Sequence, residues 1–391
     1  MVPSAELNQR KGVLQEKLRS ANLDGILLAH NMSMYYFSGT MQCQYVYISA
    51  EGESLGLVRK NMGRAKDESP ITFATLKGFS GLPALLAEYG HKPTFLGLEL
   101  DVLPAAVYLR LAEILAGTKL TDASLHVRQA RQVKSAYELE QFREAARQVD
   151  ALHRAVPQLL TEGVEELELA ARLEFALRRM GHQGVARMRG FNQEMFFGHV
   201  LSGREGAAPS FLDSPTGGVG LSAAQPQGAG RRKIAAGEPV TVDYGGIYNG
   251  YIVDQTRLYS IGALPDTLMR AFEASLAVQE AVCALLKPGI SGAEIFDAAC
   301  SVAEKFNLAE HFMGFGDAQA KYVGHGVGLE FDEFPILAKK SPHLVLKDTV
   351  VAVEPKFTFP GLGVVGIENT WHVTENGVVK ISLTPDSHVI L

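Results

Sequence analysis

Short apolar runs alternate with amphipathic stretches over the first third of the chain, and this alternation predicts strands interspersed with helices. The predicted strands are GILLAH (25–30), YVYIS (45–49), SLGLVR (54–59) and TFLGLEL (94–100). The predicted helices span residues 4–22, 82–89 and 104–116. Together these elements predict a small α/β domain over residues 1–126.

A charged amphipathic pattern runs from residue 129 to residue 160 and predicts one long helix. Its start marks the beginning of a second expected domain, residues 127–391. Further predicted helices span residues 163–181, 266–286 and 292–306. The strand-like runs are PVTVDYGG (239–246), YIVDQTRLYS (251–260), TVVAVEP (349–355) and GIENTWHVT (366–374). The segment 214–233 has no regular periodicity, which predicts a long loop of the kind that is often functional.

Composition and charge favour a folded enzyme over several other classes of protein. Of the 391 residues, 47% are apolar and 20% are charged, so the chain can build a core and disorder is not expected. The net charge of −6 does not favour nucleic acid or an anionic membrane as a partner. The three cysteines form no Cys-x-x-Cys pair, and no run resembles a signal peptide or a membrane span. We therefore expect a soluble cytoplasmic enzyme.

Two aspartates stand inside apolar strand-like runs, Asp243 in VTVDYGG and Asp254 in YIVDQTR. A buried carboxylate is costly unless a cation or several hydrogen-bond donors surround it. The Asn-Gly pair at 249–250 predicts a hairpin that carries both carboxylates toward the same end of paired strands. Taken alone, the two residues are better explained as strand-end aspartates that accept backbone hydrogen bonds.

Three residues nearer the C-terminus extend this pattern. His325 lies in the Gly-rich segment VGHGVGLEFDEFP, Glu354 ends VVAVE, and Glu368 interrupts VVGIENTW. Each alone is also explained as a loop histidine or a salt-bridged glutamate. Four carboxylates and one imidazole together suit Mn, Fe, Co or Zn, and they exceed the needs of one catalytic zinc ion. A pair of ions about 3.5–4 Å apart, bridged by carboxylates and a hydroxide, is the economical arrangement.

The order of these five residues resembles the creatinase/methionine aminopeptidase superfamily, peptidase family M24, which includes Xaa-Pro aminopeptidases and prolidases. The pattern has two aspartates eleven residues apart, a histidine in GHGxG, a Glu-Pro pair and a final glutamate. The segment VKSAYELEQFREAA (133–146) is similar to the start of the family's catalytic domain. The resemblance implies a creatinase-type N-terminal α/β domain over residues 1–126. It implies an α+β catalytic domain of the pita-bread fold, a curved antiparallel sheet covered by helices, over residues 127–391.

The resemblance also implies two divalent metal ions held by the five residues. By this resemblance, Asp243 would chelate one ion, and Asp254 and Glu368 would bridge both. His325 and Glu354 complete the coordination of the second ion. By the same resemblance, a hydroxide between the ions would attack the scissile carbonyl, and Glu354 would carry the proton to the leaving nitrogen.

The sequence departs from the family at positions that contact the substrate. The peptidases have a histidine before the first aspartate. The matching position here is near Ser210 when it is counted from the Ser-Gly pair at 202–203, and near Gln227 when it is counted back from Asp243. His199, in FFGHVLSG, replaces that histidine only if the loop takes a different path, and it is a candidate catalytic residue. Asp332, a second candidate, replaces another family histidine; a carboxylate is unfavourable beside an oxyanion but suits a cationic substrate group. Gly366 stands where many proline-specific members have an arginine.

We expect metal-dependent hydrolysis of an N-terminal bond, such as Xaa-Pro, in short peptides. The alternatives are hydrolysis or elimination on a small non-peptide substrate, and a binding protein without catalysis, which the complete five-residue set disfavours. The resemblance further implies a homodimer, and it places Thr256 near the metals, where its hydroxyl orients a ligand. The ligand set accepts Mn, Co, Zn or Fe, so the sequence does not name the ion.

Overall fold

Residues 1–131 form the first of two units in the computed structural model, which describes all 391 residues of the chain. The strands of this unit are β1 (Gly25–Leu28), β2 (Tyr45–Ser49), β3 (Ser54–Val58), β4 (Thr72–Thr75), β5 (Phe95–Leu98) and β6 (Lys119–Asp122). The helices are α1 (Ser4–Ser20), α2 (Asn31–Ser38), α3 (Met62–Glu68), α4 (Leu82–Glu88), α5 (Ala105–Ile114) and α6 (Ser124–Gln132). The strands form one sheet in the order β4-β3-β2-β1-β5-β6. Pairing is antiparallel among β1, β2 and β3 and parallel elsewhere.

The four strands predicted for this unit are present, and their side chains form its core. Leu27, Tyr47, Leu57 and Leu96 are all almost fully buried. The sequence did not predict the two edge strands, β4 and β6, because they are largely exposed and lack an apolar run. Apolar runs therefore identified the central strands of the sheet and missed its edges.

Residues 132–391 form the second unit, in which mainly antiparallel sheets are covered by helices. The helices are α7 (Ala136–Leu159), α8 (Glu166–Arg179), α9 (Gly203–Gly206), α10 (Asp266–Leu285) and α11 (Gly292–Lys305). The strands are β7 (Gly198–Ser202), β8 (Val240–Tyr248), β9 (Tyr251–Ser260), β10 (Tyr322–Gly326), β11 (Glu333–Ala338), β12 (Val350–Val353), β13 (Lys356–Phe359), β14 (Gly363–Gly366), β15 (Asn369–Thr374), β16 (Gly377–Lys380) and β17 (Val389–Ile390). They form three sheets, β17-β9-β8-β7, β11-β10-β12-β15-β16 and β13-β14. Only the pairing of β17 with β9 is parallel.

The single helix predicted over residues 129–160 is wrong, because the chain forms α6 and α7 with a break at residues 133–135. Ser135 is the N-cap of α7, and its hydroxyl accepts a hydrogen bond from the backbone N–H of Glu138. The Glu138 carboxylate in turn accepts a hydrogen bond from the Ser135 N–H, which completes a capping box. The cap begins a new helix at Ala136 even though the charged pattern continues across the break.

The predicted hairpin joins β8 and β9 through a two-residue turn. Asn249 and Gly250 have φ values of 47° and 86°, which is the left-handed conformation that this turn requires. Asp243 lies opposite Thr256 in the ladder, and Asp254 lies opposite the residue two positions beyond Asp243. Because residues two apart share a face of a strand, both aspartates lie on the same face of the hairpin.

Helices cover the sheets and bury the apolar sides of the strands. α7 packs on β8 and β9, α10 on β13, β14 and β16, and α11 on β10 and β11. Val278, Ile295, Val323, Val353 and Val373 are fully buried in the core that results. Across the helices, none combines the length and the apolar character that a bilayer-spanning segment requires.

Candidate metal centre

All five residues predicted as metal ligands come from strands or strand ends of the second unit. Asp243 lies on β8, Asp254 on β9 and His325 on β10. Glu354 follows the last residue of β12, and Glu368 lies between β14 and β15. We call Asp243, Asp254, Glu354 and Glu368 the carboxylate cluster.

Backbone and hydroxyl hydrogen bonds join the β8–β9 hairpin to the segment around Glu368. Thr256 and Glu368 exchange backbone N–H···O bonds of 3.4 and 3.3 Å. The Thr256 hydroxyl donates to Oε2 of Glu368 at 2.9 Å, which is the contact expected of a residue that orients a ligand. Thr370 Oγ1 accepts from the Asp254 N–H at 2.9 Å and donates to the Asp254 carbonyl at 2.9 Å. These bonds hold the two carboxylates in a defined relative position.

Asp254, His325 and Glu368 form a group that can bind one divalent ion. One potential ligand atom of each residue lies within 4.8 Å of the others. Oε1 of Glu368 is buried and has no hydrogen-bond partner. A buried carboxylate oxygen without a partner is costly, and a cation would satisfy it. Two carboxylates and one imidazole are donors that suit a hard or borderline divalent ion, so these residues fit the metal expected from the sequence.

A lysine that the sequence analysis did not single out lies inside the carboxylate cluster. Lys356 is the first residue of β13, and its side chain is 1% exposed. Its Nζ donates to Oδ2 of Asp243 at 3.1 Å, to Oε2 of Glu354 at 2.9 Å and to Oε2 of Glu368 at 2.8 Å. The sequence does contain a signal for this residue, because Lys356 lies inside the apolar run VVAVEPKFTF, two residues after the predicted ligand Glu354.

Burial and charge shift the pKa values of the carboxylates in opposite directions. Burial, together with the charge of Asp243, raises the pKa of Asp254 to about 7. Burial and the charge of Asp254 raise the pKa of Glu368 well above its ordinary value. Burial also acts on Asp243, but the Lys356 ammonium and the His199 ring outweigh it and hold the pKa of Asp243 below its ordinary value. Carboxylates that burial and repulsion force toward protonation are stabilised by an added cation.

The structure brings His199 to the carboxylate cluster. His199 pairs with Asp243 across the β7–β8 ladder, and its Nε2 lies 3.6 Å from Oδ2 of Asp243. This nitrogen is buried and makes no hydrogen bond. A Cβ on Gly228 would lie 3.4 Å from the Cβ of His199, so the loop that contains residue 227 passes beside the histidine.

Ser210 and Gln227, the two positions that match the family histidine, contact other parts of this loop region. The Ser210 hydroxyl donates to the carbonyl of Pro226 at 2.9 Å. The Gln227 side chain donates to the carbonyl of Glu194 at 3.3 Å. Both residues therefore bind the backbone of the loop, whereas His199 contacts the cluster.

Asp332 and Gly366 have local roles that the sequence analysis did not predict. Oδ1 of Asp332 accepts a hydrogen bond from the backbone N–H of Arg189 at 2.9 Å, which ties the segment before β11 to the loop after α8. Gly366 lies opposite Lys356 in the β13–β14 ladder. A Cβ at Gly366 would lie 2.5 Å from the carbonyl oxygen of Pro355, so this backbone does not accommodate an arginine there.

Two family models match the chain, and together they cover most of it. The model described as metallopeptidase family M24 matches residues 140–375. The model described as creatinase/prolidase N-terminal domain matches residues 10–133. These matches support the two-domain fold that was expected from the sequence.

Similar proteins and structures extend over nearly the full chain. The "Xaa-Pro dipeptidase" of Pyrococcus furiosus is 26% identical over 382 residues, which is 97% of this chain and 99% of that protein. The "Probable dipeptidase PepE" of Mycobacterium bovis is 30% identical over 292 residues, 74% of this chain and 69% of that protein. The solved structure of an Xaa-Pro dipeptidase from Bacillus anthracis superposes with a TM-score of 0.83 at 26% identity, covering 98% of this chain and 100% of that one.

Proposed function

The chain belongs to metallopeptidase family M24, and from this premise we propose that it is a dipeptidase or aminopeptidase that hydrolyses Xaa-Pro or similar N-terminal peptide bonds. Family membership carries a requirement for a divalent metal ion. The observation that carries the proposal is the group of Asp254, His325 and Glu368, with a buried Glu368 oxygen that lacks a hydrogen-bond partner. The dipeptidases that resemble this chain along most of its length support a peptide substrate.

We assign metal binding to the five residues expected from the sequence, which are Asp243, Asp254, His325, Glu354 and Glu368. The expectation is two ions, drawn from Mn, Co, Zn or Fe. A bound divalent ion polarises the scissile carbonyl and lowers the pKa of the attacking water. The chain itself would supply the ligands of the ion and the group that moves the proton.

Glu354 is the residue to which we assign proton transfer. Its Oε1 lies 3.3 Å from Nε2 of His325, and its Oε2 lies 2.9 Å from Nζ of Lys356. Burial raises its pKa, but the charges of Lys356 and His325 outweigh burial and hold the pKa of Glu354 below its ordinary value. The ionised carboxylate accepts a proton from the attacking water and passes it to the amide nitrogen.

His199 and Asp332 are the residues to which we assign substrate contacts. The side chain of His199 is 24% exposed beside Asp243, so part of it faces the solvent from which a substrate approaches. For Asp332, the support is that a carboxylate replaces a family histidine. A carboxylate favours a cationic group of the substrate, such as a peptide N-terminus.

A small non-peptide substrate is the second candidate, and the altered substrate positions favour it. Ser210 or Gln227 and Asp332 stand where the resemblance places histidines, and Gly366 stands where it places an arginine. Under this alternative, the metal ligands are retained and the bond that is broken is not a peptide bond.

The test is the release of free amino acid from Xaa-Pro and non-proline di- and tripeptides. The protein is stripped of metal with a chelator and reloaded with Mn, Co or Zn. We expect cleavage that depends on the metal and prefers proline. Metal binding without cleavage of any peptide would contradict the peptidase proposal and favour the non-peptide substrate.

Two substitutions in the metal-binding group test the assignment of its residues. We expect Asp254→Asn and Glu368→Gln each to abolish turnover, because each removes a charged ligand. Glu375→Gln is the matched control, since Glu375 lies on the turn between β15 and β16 and pairs with Lys347 at the surface. Turnover retained in either ligand variant would contradict the assignment.

A homodimer and a cytoplasmic location are also part of this proposal. The resemblance supports the first, and the absence of a Cys-x-x-Cys pair or disulfide pattern in the sequence supports the second. Light scattering on the purified chain checks the dimer.

A further inference from the structure

We propose that the ammonium group of Lys356 takes the place of one of the two metal ions, so that the chain binds a single divalent ion through Asp254, His325 and Glu368. This proposal rests on the proposed metal-dependent function and deepens it. It replaces a two-ion centre with one ion and one fixed organic cation.

The hydrogen bonds of Lys356 use the carboxylates that a second ion needs. An ammonium has three N–H donors. Nζ of Lys356 donates one to each of Asp243, Glu354 and Glu368 at 3.1, 2.9 and 2.8 Å. The resemblance assigned these three carboxylates to the metals. An ion held by the same three oxygens would need distances of about 2.0–2.2 Å and would collide with Nζ.

The potential ligand atoms that Lys356 does not contact are sufficient for one ion. Lys356 uses Oε2 of Glu368, whereas Oε1 of the same carboxylate is buried and has no hydrogen-bond partner. Lys356 makes no hydrogen bond to Asp254 or His325. An ion bound by Asp254, His325 and Oε1 of Glu368 therefore leaves all three bonds of the ammonium in place.

The surroundings of Lys356 keep its ammonium in the cluster. The side chain is 1% exposed, so the ammonium has no direct path to solvent. Moving the ammonium out of the cluster would separate it from its three carboxylates and leave buried charges without partners, which is strongly unfavourable. The strand opposite provides the room, because a Cβ on Gly366 would lie 2.8 Å from Cγ of Lys356. Glycine at position 366 therefore allows the lysine stem to take this path.

The experiment counts the ions bound by the full chain. The metal-free protein is equilibrated with excess MnCl₂ and freed of unbound ions, and manganese is measured by elemental analysis. We expect one ion per chain in the wild type and a six-line electron paramagnetic resonance spectrum typical of an isolated Mn²⁺. Lys356→Met removes the charge and retains much of the volume. We expect it to bind two ions per chain, with a spectrum broadened by coupling between them.

Lys380→Met is the matched control, because Lys380 pairs with Asp386 rather than with the carboxylate cluster. We expect it to bind one ion, as the wild type does. If Lys356→Met folds only with metal present, it is refolded in MnCl₂ before the count.

The outcomes separate this proposal from the function on which it rests. Two ions per chain in the wild type would overturn the role of Lys356 and leave the metallopeptidase proposal standing. A single ion in Lys356→Met would also overturn that role, because the lysine would not be what excludes the second ion. A wild type that binds no manganese, cobalt or zinc would overturn the metal-dependent function itself.

Discussion

A buried arginine at the centre of the second unit donates hydrogen bonds to backbone carbonyls. Arg257 is 1% exposed, and its guanidinium donates to the backbone carbonyls of Thr256, Glu368 and Thr384. It thus fixes the backbone on either side of the bridge between Thr256 and Glu368. Removing the guanidinium would leave these carbonyls without a donor, so substitution of Arg257 is expected to be strongly destabilising.

His182 provides a prediction about pH at the scale of one residue. It is 1% exposed; its Nε2 donates to the carbonyl of Gly245, and its Nδ1 accepts from the N–H of Gly184. Burial lowers the pKa of His182 to about 4. Because the unfolded chain takes up this proton near pH 6.5, the contribution of His182 to stability is complete above that pH. We expect it to fall by up to about 3 kcal/mol between about pH 6.5 and pH 4.

Urea unfolding of the wild type and of His182→Gln at pH 7.5, 6 and 5 measures this effect. Glutamine keeps a donor and an acceptor but does not titrate. We expect the wild type to lose more stability than the variant as the pH falls, so the difference between them narrows. A difference that is the same at every pH would show that His182 does not carry the proton linkage.

At the scale of elements, a few polar residues decide where helices and hairpins begin. The Asn249–Gly250 turn sets the register of β8 against β9 and thereby places both aspartates on one face. The capping box of Ser135 and Glu138 starts α7. These local hydrogen bonds overrode a continuous charged pattern, which is why one predicted helix is two.

The capping box of α11 allows a quantitative test. Ser291 Oγ accepts from the backbone N–H of Glu294, and the Glu294 carboxylate accepts from the N–H of Ser291. We expect Ser291→Ala to lower the free energy of unfolding by about 1 kcal/mol, because the first turn loses its acceptor. Ser301→Ala, in the same helix but away from the cap, is the control and should change stability by less than about 0.5 kcal/mol. Equal effects in chemical denaturation would contradict the role of the cap.

At the scale of the whole molecule, every residue assigned to metal binding lies within residues 132–391. The carboxylate cluster contains four acidic side chains, and the pKa values of Asp254 and Glu368 are raised by burial and by neighbouring charge. An added cation would relieve this crowding, because it favours the ionised form of both carboxylates. Stability and metal binding are therefore expected to be linked.

The expected linkage is a gain in stability when metal is added. Mn²⁺ at about 100 times its dissociation constant should raise the free energy of unfolding by about 2.7 kcal/mol, because the ion binds the folded chain and not the unfolded one. Chelator should reverse the gain, and Asp254→Asn should abolish it, while the surface variant Glu375→Gln retains it. Thermal unfolding that is unchanged by metal would contradict the assignment of these ligands.

The sequence by itself determined the central strands of the first unit, the β8–β9 hairpin and the family. Apolar periodicity and turn chemistry are local properties, so they can be read from neighbouring residues. The five candidate ligands were selected in the same way, because each interrupts an apolar run or stands in a Gly-rich segment. The edge strands β4 and β6 were missed because their exposed side chains carry no apolar pattern.

Only the tertiary structure decided what surrounds those ligands. His199 reaches Asp243 because β7 pairs with β8, a register that no local pattern reveals. Lys356 turns into the carboxylate cluster because its partner across the β13–β14 ladder, Gly366, has no side chain. A long flexible side chain takes its direction from the space and charge around it, and residues distant in sequence supply both.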